Sequence, residues 1–148
     1  MVDIVRLMEL PLGAVWTLQV ASRAEGLTFV DRLVDEYVAG TNRFELPGEA
    51  LFGAYADKTL IGIGGLNRDP YLQKAGVGRV RHLYVLAAWR RQRVGAQLMQ
   101  RIIDEAHEHF DLLTLRTFSD EADRFYRRIG FKTEPVIDGA THHLCLRD

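Results

Sequence analysis

Residues 83–110 read LYVLAAWRRQRVGAQLMQRIIDEAHEHF, and this stretch decides the fold. The β-rich run from Val80 to Leu86 leads into it, and apolar residues then recur every four positions from Val94 to Phe110. This spacing is typical of an amphipathic helix. A strand that runs directly into a helix leaves unpaired backbone N–H groups at the helix start, where they bind anions. The stretch therefore predicts a strand, a basic turn and a helix whose first turn holds an anion.

The turn before that helix has the composition of a phosphate site. Arg90, Arg91 and Arg93 bring positive charge, which phosphate oxygens favour. Gly95 and Ala96 lack bulk, so a phosphate can approach the backbone closely. The turn is not a mononucleotide P-loop, because no Gly-Lys-Ser or Gly-Lys-Thr follows, and it lacks the three glycines of a dinucleotide fingerprint. Taken alone, these residues also fit a basic turn that only caps a helix at the surface.

The rest of the 148-residue chain predicts one domain, residues 1–148, with the element order β, α, α, β, β, β, α, β, α, β, β. Gly26 divides a helical pattern into two helices, and Ser119 or Asp120 caps the helix that Gly130 ends. Predicted strands cover 4–8, 51–55, 59–65, 80–86, 112–118, 131–136 and 141–146, and predicted helices fall within 15–38, 94–110 and 121–129.

Composition excludes several classes of protein. The chain has 19 Lys and Arg against 20 Asp and Glu, so its charge predicts neither a nucleic-acid nor a membrane partner. Its start lacks the pattern of a signal peptide, and no apolar stretch is long enough to span a bilayer, which favours the cytoplasm. No metal is expected, because His142 and His143 are adjacent and would lie on opposite sides of a strand. The single cysteine, Cys145, is expected to be a small buried strand residue rather than an acyl acceptor.

Three motifs make the chain resemble a known family. Residues 90–95, Arg-Arg-Gln-Arg-Val-Gly, are similar to the Arg/Gln-x-x-Gly-x-Gly/Ala loop of the GNAT superfamily of N-acetyltransferases. Residues 83–85 resemble that family's strand before the loop, and residues 125–131, FYRRIGF, resemble its Phe-Tyr-x-x-x-Gly-Phe signature at the expected distance. The order of elements fits the family across nearly the whole chain. One departure is Arg93, which stands where the family's first loop glycine usually lies.

The resemblance implies a fold, a co-substrate and a reaction. The fold is an α/β (α+β) domain with a mixed, splayed sheet of about six to seven strands and about four flanking helices. Acetyl-coenzyme A would lie between the strand that ends at Val85 and the next strand, and would acetylate a small-molecule amine directly in a ternary complex. The resemblance assigns backbone contacts with the pantetheine to Leu83, Tyr84 and Val85, the pyrophosphate to Arg90, Arg91, Gln92, Arg93, Val94, Gly95 and Ala96, and a further co-substrate contact to Ser119.

Amine acetylation sets three chemical requirements. The amine must lose a proton, because a lysine-like amine has a pKa of about 10.4. Backbone N–H donors must stabilise the oxyanion, and the departing thiolate must be protonated or otherwise stabilised. The N–H near Val85 is the expected oxyanion donor. The resemblance assigns the thiolate to Tyr126 as a catalytic acid, whereas its place in a helical apolar stripe with Phe125 and Ile129 also fits a half-buried core residue.

The general base stays open at this point. The strand positions where relatives carry a glutamate hold Thr114, Arg79 and Arg81 here. His82 has a suitable ordinary pKa, but strand alternation would place it in the core with its neighbours two residues away. Asp69 could instead form an Asx turn before the proline that follows it. A water molecule, or simple positioning of a neutral amine, is the remaining alternative.

The acceptor and the partners are also open. Arginines near the proposed cleft suit a substrate that carries a carboxylate or phosphate beside its amine, unless they are solvated or paired; the polar residues concerned are Asn67, Arg68, Asp69, Arg79, Arg81 and Arg116. Acetylation of a peptide or protein amine is a second hypothesis, and a coenzyme A-binding regulatory module without turnover is a third. The oligomeric state is not fixed by the sequence, a homodimer included.

Overall fold

A computed structural model of the chain describes residues 1–72 and 74–147, and within them it has a six-stranded mixed sheet and four helices, as the sequence predicts. A short 3-10 turn, Ala87–Trp89, follows the fourth strand. The elements are β1 Val2–Arg6, α1 Leu12–Ala24, α2 Phe29–Ala39, β2 Ala50–Ala56, β3 Thr59–Arg68, β4 Val77–Val85, α3 Val94–His109, β5 Leu112–Leu115, α4 Asp120–Ile129 and β6 His142–Cys145.

The sheet opens between its fourth and fifth strands. Its strands lie in chain order, and all neighbours are antiparallel except β4 and β5, which are parallel. These two strands pair only where Val77 to Arg79 face Leu112 to Thr114. Beyond Arg79, β4 continues to Val85 without β5 beside it. The result is a V-shaped opening whose one edge is the second half of β4, and this is the predicted splay.

Two clusters of buried side chains cover the two faces of the sheet. Phe52, Leu98 and Ile102 belong to the cluster beneath α3 and α4, and each is at most 1% exposed. Leu18 and Leu33 belong to the cluster beneath α1 and α2 on the other face. Each such side chain stabilises the fold by roughly 1.5–3 kcal/mol relative to leaving it exposed. The two layers of helices hold the sheet in its splayed form and leave the V open at one end.

A β-bulge changes the direction of β4 in its second half. The register between β3 and β4 shifts opposite His82, whose backbone is left-handed with a φ of 60°. Val80 lies in the cluster beneath α3 and α4, whereas Tyr84 lies in the cluster beneath α1 and α2. The expectation that strand alternation carries Val80, His82 and Tyr84 on one face is therefore wrong, because the extra residue of the bulge reverses the order of faces.

The chain after α4 forms less sheet than the sequence predicts. The strand expected over 131–136 is wrong, since only Lys132 forms an isolated bridge, with His143 of β6. Pro135 has no N–H to continue a ladder, and its carbonyl accepts a hydrogen bond from the His143 ring at 2.9 Å.

Two further expectations need correction near β5 and β6. The strand predicted over 112–118 ends at Leu115, because the Thr117 N–H donates to the Thr141 hydroxyl at 3.0 Å instead of to a neighbouring strand. Cys145 is exposed rather than buried. It lies at the end of β6, the last strand of the sheet, which has no further strand beside it.

Candidate active site

The first turn of α3 presents three free backbone N–H groups at the loop after β4. The Gln97 N–H donates to the Arg93 carbonyl at 2.9 Å, which closes the first turn. The N–H groups of Val94, Gly95 and Ala96 precede that bond, so the helix offers them no carbonyl. They lie at the positive end of the helix dipole, which favours an anion. This turn can therefore bind an anion, and the assignment of the pyrophosphate to it stays a prediction.

The loop before α3 is built from left-handed residues. Arg91 has a φ of 63°, and Arg93, the N-cap of α3, has a φ of 67°. A non-glycine residue adopts this region at a cost of roughly 1–2 kcal/mol. Arginine at position 93 therefore keeps the backbone turn that a glycine would make more easily. The side chains of Arg91, Gln92 and Arg93 are exposed and add charge and hydrogen-bond donors beside the free N–H groups.

Gly95 lies where α3, α4 and the end of β4 meet. A Cβ atom on Gly95 would lie 3.4 Å from the Phe125 ring and 4.0 Å from a Val85 methyl group. A Cβ at position 95 would thus make only ordinary contacts, whereas a longer side chain would be crowded by Phe125 beside the free N–H groups. Phe125, which the sequence places in a motif and in an apolar stripe, therefore limits the space beside Gly95.

Arg90 is held by residues outside the predicted site. Its Nη1 and Nη2 donate to the two carboxylate oxygens of Glu25 at 2.6 and 2.9 Å, and its Nε donates to the Val85 carbonyl at 2.9 Å. The Tyr84 hydroxyl donates to the same carboxylate. The hydrogen bond from Arg90 keeps the pKa of Glu25 below its ordinary value, and burial raises the pKa of Tyr84 to about 12. Sequence reasoning missed Glu25, because it lies 65 positions from Arg90.

The backbone of β4 exposes alternate groups to the V. The Leu86 N–H donates to the Ile61 carbonyl across the β3 edge at 2.9 Å. Strand alternation then turns the N–H of Val85 to the opposite edge, into the V, where β5 offers no partner. The backbone groups of Tyr84, which is paired with Ile63, face β3. Val85 is therefore well placed as the predicted oxyanion donor, and Leu83, two residues earlier, as its neighbour along the same edge.

Tyr126 is buried in the apolar cluster that Leu83 and Val85 also contact. It is 7% exposed, and its ring lies edge to face with those of Phe125 and Phe131. Burial raises the pKa of its hydroxyl above the ordinary value. Tyr126 is thus a core side chain with a neutral hydroxyl, and its assignment to the departing thiolate stays a prediction.

Ser119 caps the helix that carries Tyr126. Its hydroxyl accepts a hydrogen bond from the Ala122 N–H at 3.2 Å, as an N-cap serine does. Loss of such a cap costs about 1 kcal/mol. The exposed Ser119 therefore fixes the start of α4, and its predicted contact with the co-substrate stays a prediction.

Asp69, one candidate base, is fully occupied by structural hydrogen bonds. Its Oδ1 accepts from the N–H groups of Tyr71 and Leu72 at 2.7 and 3.0 Å, which is the alternative Asx turn. Its Oδ2 accepts from the Thr114 hydroxyl at 2.6 Å. The carboxylate is buried, and Arg79 lies 3.6 Å from Oδ2. This arrangement makes Asp69 a support for the base of the V rather than a proton acceptor.

His82, the other candidate base, is buried beside Phe44. Neither ring nitrogen has a hydrogen-bond partner among the residues that the structure describes. Burial, assisted by the charge of Arg81, lowers the pKa of His82 to about 3. The imidazole is therefore neutral at physiological pH and holds a proton too weakly to draw one from an amine.

Residues 1–72 and 74–147 contain neither a metal-binding cluster nor a membrane-spanning helix. No three His, Cys, Asp or Glu side chains there lie close enough together to hold a metal ion. In the same ranges, no helix has both the length and the apolar character needed to cross a bilayer.

Comparisons with known proteins place the chain in a family. A family model for the acetyltransferase (GNAT) domain matches residues 47–133, more than half of the chain. A presumed acetyltransferase from Exiguobacterium sp. 255-15 is 31% identical with a TM-score of 0.85, over 98% of this chain and 93% of that one. An acetyltransferase of the GNAT family from Staphylococcus aureus Mu50 is 16% identical with a TM-score of 0.67, over 99% and 100%, and shows likeness of fold alone. No protein with curated annotation matches the chain.

The family match, the splayed six-stranded sheet and the open N-terminus of α3 agree with one another. The chain belongs to the GNAT family of acetyltransferases and is an acyltransferase.

Proposed function

We propose that the protein transfers the acetyl group of acetyl-coenzyme A directly to the amine of a small molecule while both substrates are bound. One observation carries the proposal. The free N–H groups of Val94 to Ala96 lie at one end of the V, and Val85 turns its N–H into the same opening. A pyrophosphate at the first position lets a pantetheine arm run along β4 toward the second, as the family pattern implies.

The transfer would use few groups of the chain. The amine nitrogen attacks the acetyl carbonyl carbon, a C–N bond forms, and the Val85 N–H donates to the oxyanion. The C–S bond then breaks, and the Tyr126 hydroxyl donates a hydrogen bond to the departing thiolate. Because burial raises the pKa of Tyr126 while a thiol has a pKa of about 8.5, we expect stabilisation of the thiolate rather than full proton transfer. The proton lost by the amine leaves through water, since Asp69 and His82 are poor acceptors.

Direct transfer is favoured over an acyl-enzyme. Cys145, the only cysteine, lies on β6 at the edge of the sheet, and its Sγ contacts the Arg147 carbonyl at 2.9 Å. The open V lies instead between β4 and β5. A ternary complex needs no covalent relay.

Thiol release from acetyl-coenzyme A tests the function. The protein is incubated with the thioester alone, with a panel of small amines, and with peptides that have free N-termini or lysines. We expect release that requires a small amine, with the acetylated amine detected by mass spectrometry. Release only with peptides would favour a peptide acetyltransferase. Binding of acetyl-coenzyme A without release for any amine or peptide would favour a regulatory module and contradict the proposal.

A further inference from the structure

One terminal nitrogen of a buried arginine at the base of the V, Nη1 of Arg79, has no hydrogen-bond partner among the described residues. The Arg79 side chain is 5% exposed, and its Nη1 is inaccessible to solvent and bonds to nothing in residues 1–72 and 74–147. Burial lowers the pKa of Arg79, yet a guanidinium stays charged in proteins. A buried cation whose donors are unused is costly for a fold. Such a group is retained most easily when a ligand supplies the missing acceptor.

Asp69 does not supply the missing hydrogen-bond acceptor for Arg79. The closest approach of the two groups, Nη1 to Oδ2, is 3.6 Å, beyond hydrogen-bond length. Asp69 already accepts from two backbone N–H groups and from Thr114. It therefore lowers the electrostatic cost of burying Arg79 but leaves the Nη1 donor of the guanidinium without an acceptor.

Tyr71 covers one face of the Arg79 guanidinium. The guanidinium carbon lies 4.6 Å from the centre of the Tyr71 ring. The same ring lies against Gly139, where an added Cβ would come within 2.8 Å of it. A cation–π contact of this kind leaves the in-plane N–H groups of a guanidinium to other acceptors. A planar carboxylate binds in that plane, so the stacked ring prepares the arginine for it.

Arg79 lies at the point where the V begins. It is the last residue of β4 that pairs with β5, and it faces Thr114. Arg81, two residues further along the same face, is only loosely held by Glu36, with Nη2 and Oε1 3.9 Å apart. Both arginines lie on the α1 and α2 side of the sheet. Val85 lies on the α3 and α4 side, near Gly95 and the predicted pyrophosphate site. Arg79, which is buried, and Arg81, which is partly exposed, therefore lie on the face of β4 away from the predicted pyrophosphate site.

We infer that the acceptor amine carries a carboxylate, and that Arg79 binds this carboxylate and so orients the amine toward the thioester. The inference rests on the proposed function, because it assigns the substrate of the same V. Strand residues rise by about 3.3 Å each, and Arg79 precedes Leu83 by four positions along β4. The amine and carboxylate are therefore separated by several bonds, as in an ω-amino acid.

Binding of matched acids and amides tests the assignment. β-Alanine, 4-aminobutyrate and 6-aminohexanoate are titrated calorimetrically into the protein saturated with coenzyme A, and each is compared with its own amide. One hydrogen-bonded charge pair corresponds to about 10- to 100-fold in affinity. We expect at least one acid to bind at least tenfold more tightly than its amide.

Three variants assign that preference to a residue. In Arg79→Met the ratio of acid to amide affinity should fall to about one, and in Arg79→Lys it should be intermediate, because charge remains without the planar fork. Arg101→Met is the matched control, since Arg101 bonds to the Ile4 carbonyl at the far edge of the sheet at 2.9 Å and should leave the ratio unchanged. If Arg79→Met does not fold, Arg79→Lys decides alone.

The assignment is overturned if no acid binds, if acids and amides bind equally, or if Arg79→Lys keeps the full preference. Thiol release with the same amines is recorded separately. Its absence with every amine would refute the proposed function, while the binding ratio would still decide whether Arg79 holds a carboxylate.

Discussion

Both carboxylate oxygens of Glu25, at the end of α1, accept hydrogen bonds from the Arg90 guanidinium, at 2.6 and 2.9 Å. Arg90 in turn holds the Val85 carbonyl through Nε. The pair therefore connects the first helix, the end of β4 and the loop before α3. Arg90 was predicted to contact the pyrophosphate, and its bonds now favour a positioning residue that keeps this loop in shape.

Loss of the Glu25 carboxylate should weaken co-substrate binding. Glu25→Gln and Arg90→Gln are each expected to raise the Kd for acetyl-coenzyme A about fivefold, because a partly exposed ion pair is worth up to about 1 kcal/mol. The double variant should be no worse than Arg90→Gln, since the two residues act as one unit. Calorimetry measures all three constants. Tighter binding by Glu25→Gln would show instead that Glu25 competes with the pyrophosphate for Arg90.

Arg93→Gly should stabilise the protein by about 1 kcal/mol. Arg93 has a φ of 67°, a conformation that glycine adopts without the clash of a Cβ atom. Arg124→Gly, in the middle of α4 on an exposed position, is the control and should destabilise by about 1 kcal/mol. Urea unfolding gives both values. A destabilised Arg93→Gly would mean that the arginine side chain contributes more than its backbone strain costs.

Gly95→Glu should abolish binding of acetyl-coenzyme A. The Cβ of the new side chain would lie 3.4 Å from the Phe125 ring. Its carboxylate would bring a negative charge to the turn whose free N–H groups are predicted to bind the pyrophosphate. Gly13→Glu is a closely matched control, because Gly13 is also the second residue of a helix and has nothing within 4 Å of its Cβ position. If calorimetry finds the affinity of Gly95→Glu for acetyl-coenzyme A unchanged, the assignment of the pyrophosphate to this turn is wrong.

His82 should make the fold sensitive to acid. The unfolded chain binds a proton at His82 near pH 6.5 and the folded chain only near pH 3, so stability falls as the pH drops through this window. The expected loss between pH 7 and pH 5 is about 2 kcal/mol from this residue. His82→Asn, which stays neutral and tolerates the left-handed backbone, should remove that part of the loss in urea unfolding. His107→Asn on the exposed side of α3 is the control, and equal pH dependence of the wild type and His82→Asn would contradict the assignment.

The sequence predicts the elements whose cause is local. The four-residue apolar period of α3, the break at Gly26 and the serine cap of α4 all depend on residues a few positions apart, and all three are present. The prediction of a strand over 131–136 is wrong for a local reason too, because Pro135 has no N–H to donate to a neighbouring strand.

The features that the sequence could not predict depend on residues far apart in the chain. The Glu25 pair with Arg90 and the Thr114 bond with Asp69 join positions 65 and 45 residues apart. The bulge at His82 is invisible to a period-two pattern, because one extra residue moves every following side chain to the other face. The loop sequence therefore predicts where the candidate site lies. The burial and hydrogen bonds of each candidate base depend instead on residues that only the fold brings together.

The most direct test of the proposed active site is acetyl transfer by Tyr126→Phe. Removing the hydroxyl deletes one hydrogen bond to a developing charge, worth about 1.5–3 kcal/mol, so kcat should fall about 10- to 100-fold. The Kd for acetyl-coenzyme A should not change, because that donor acts only as the thiolate departs. Tyr55→Phe, on β2, is the control and should match the wild type. An unchanged kcat in Tyr126→Phe would contradict the assignment of Tyr126 to the departing thiolate.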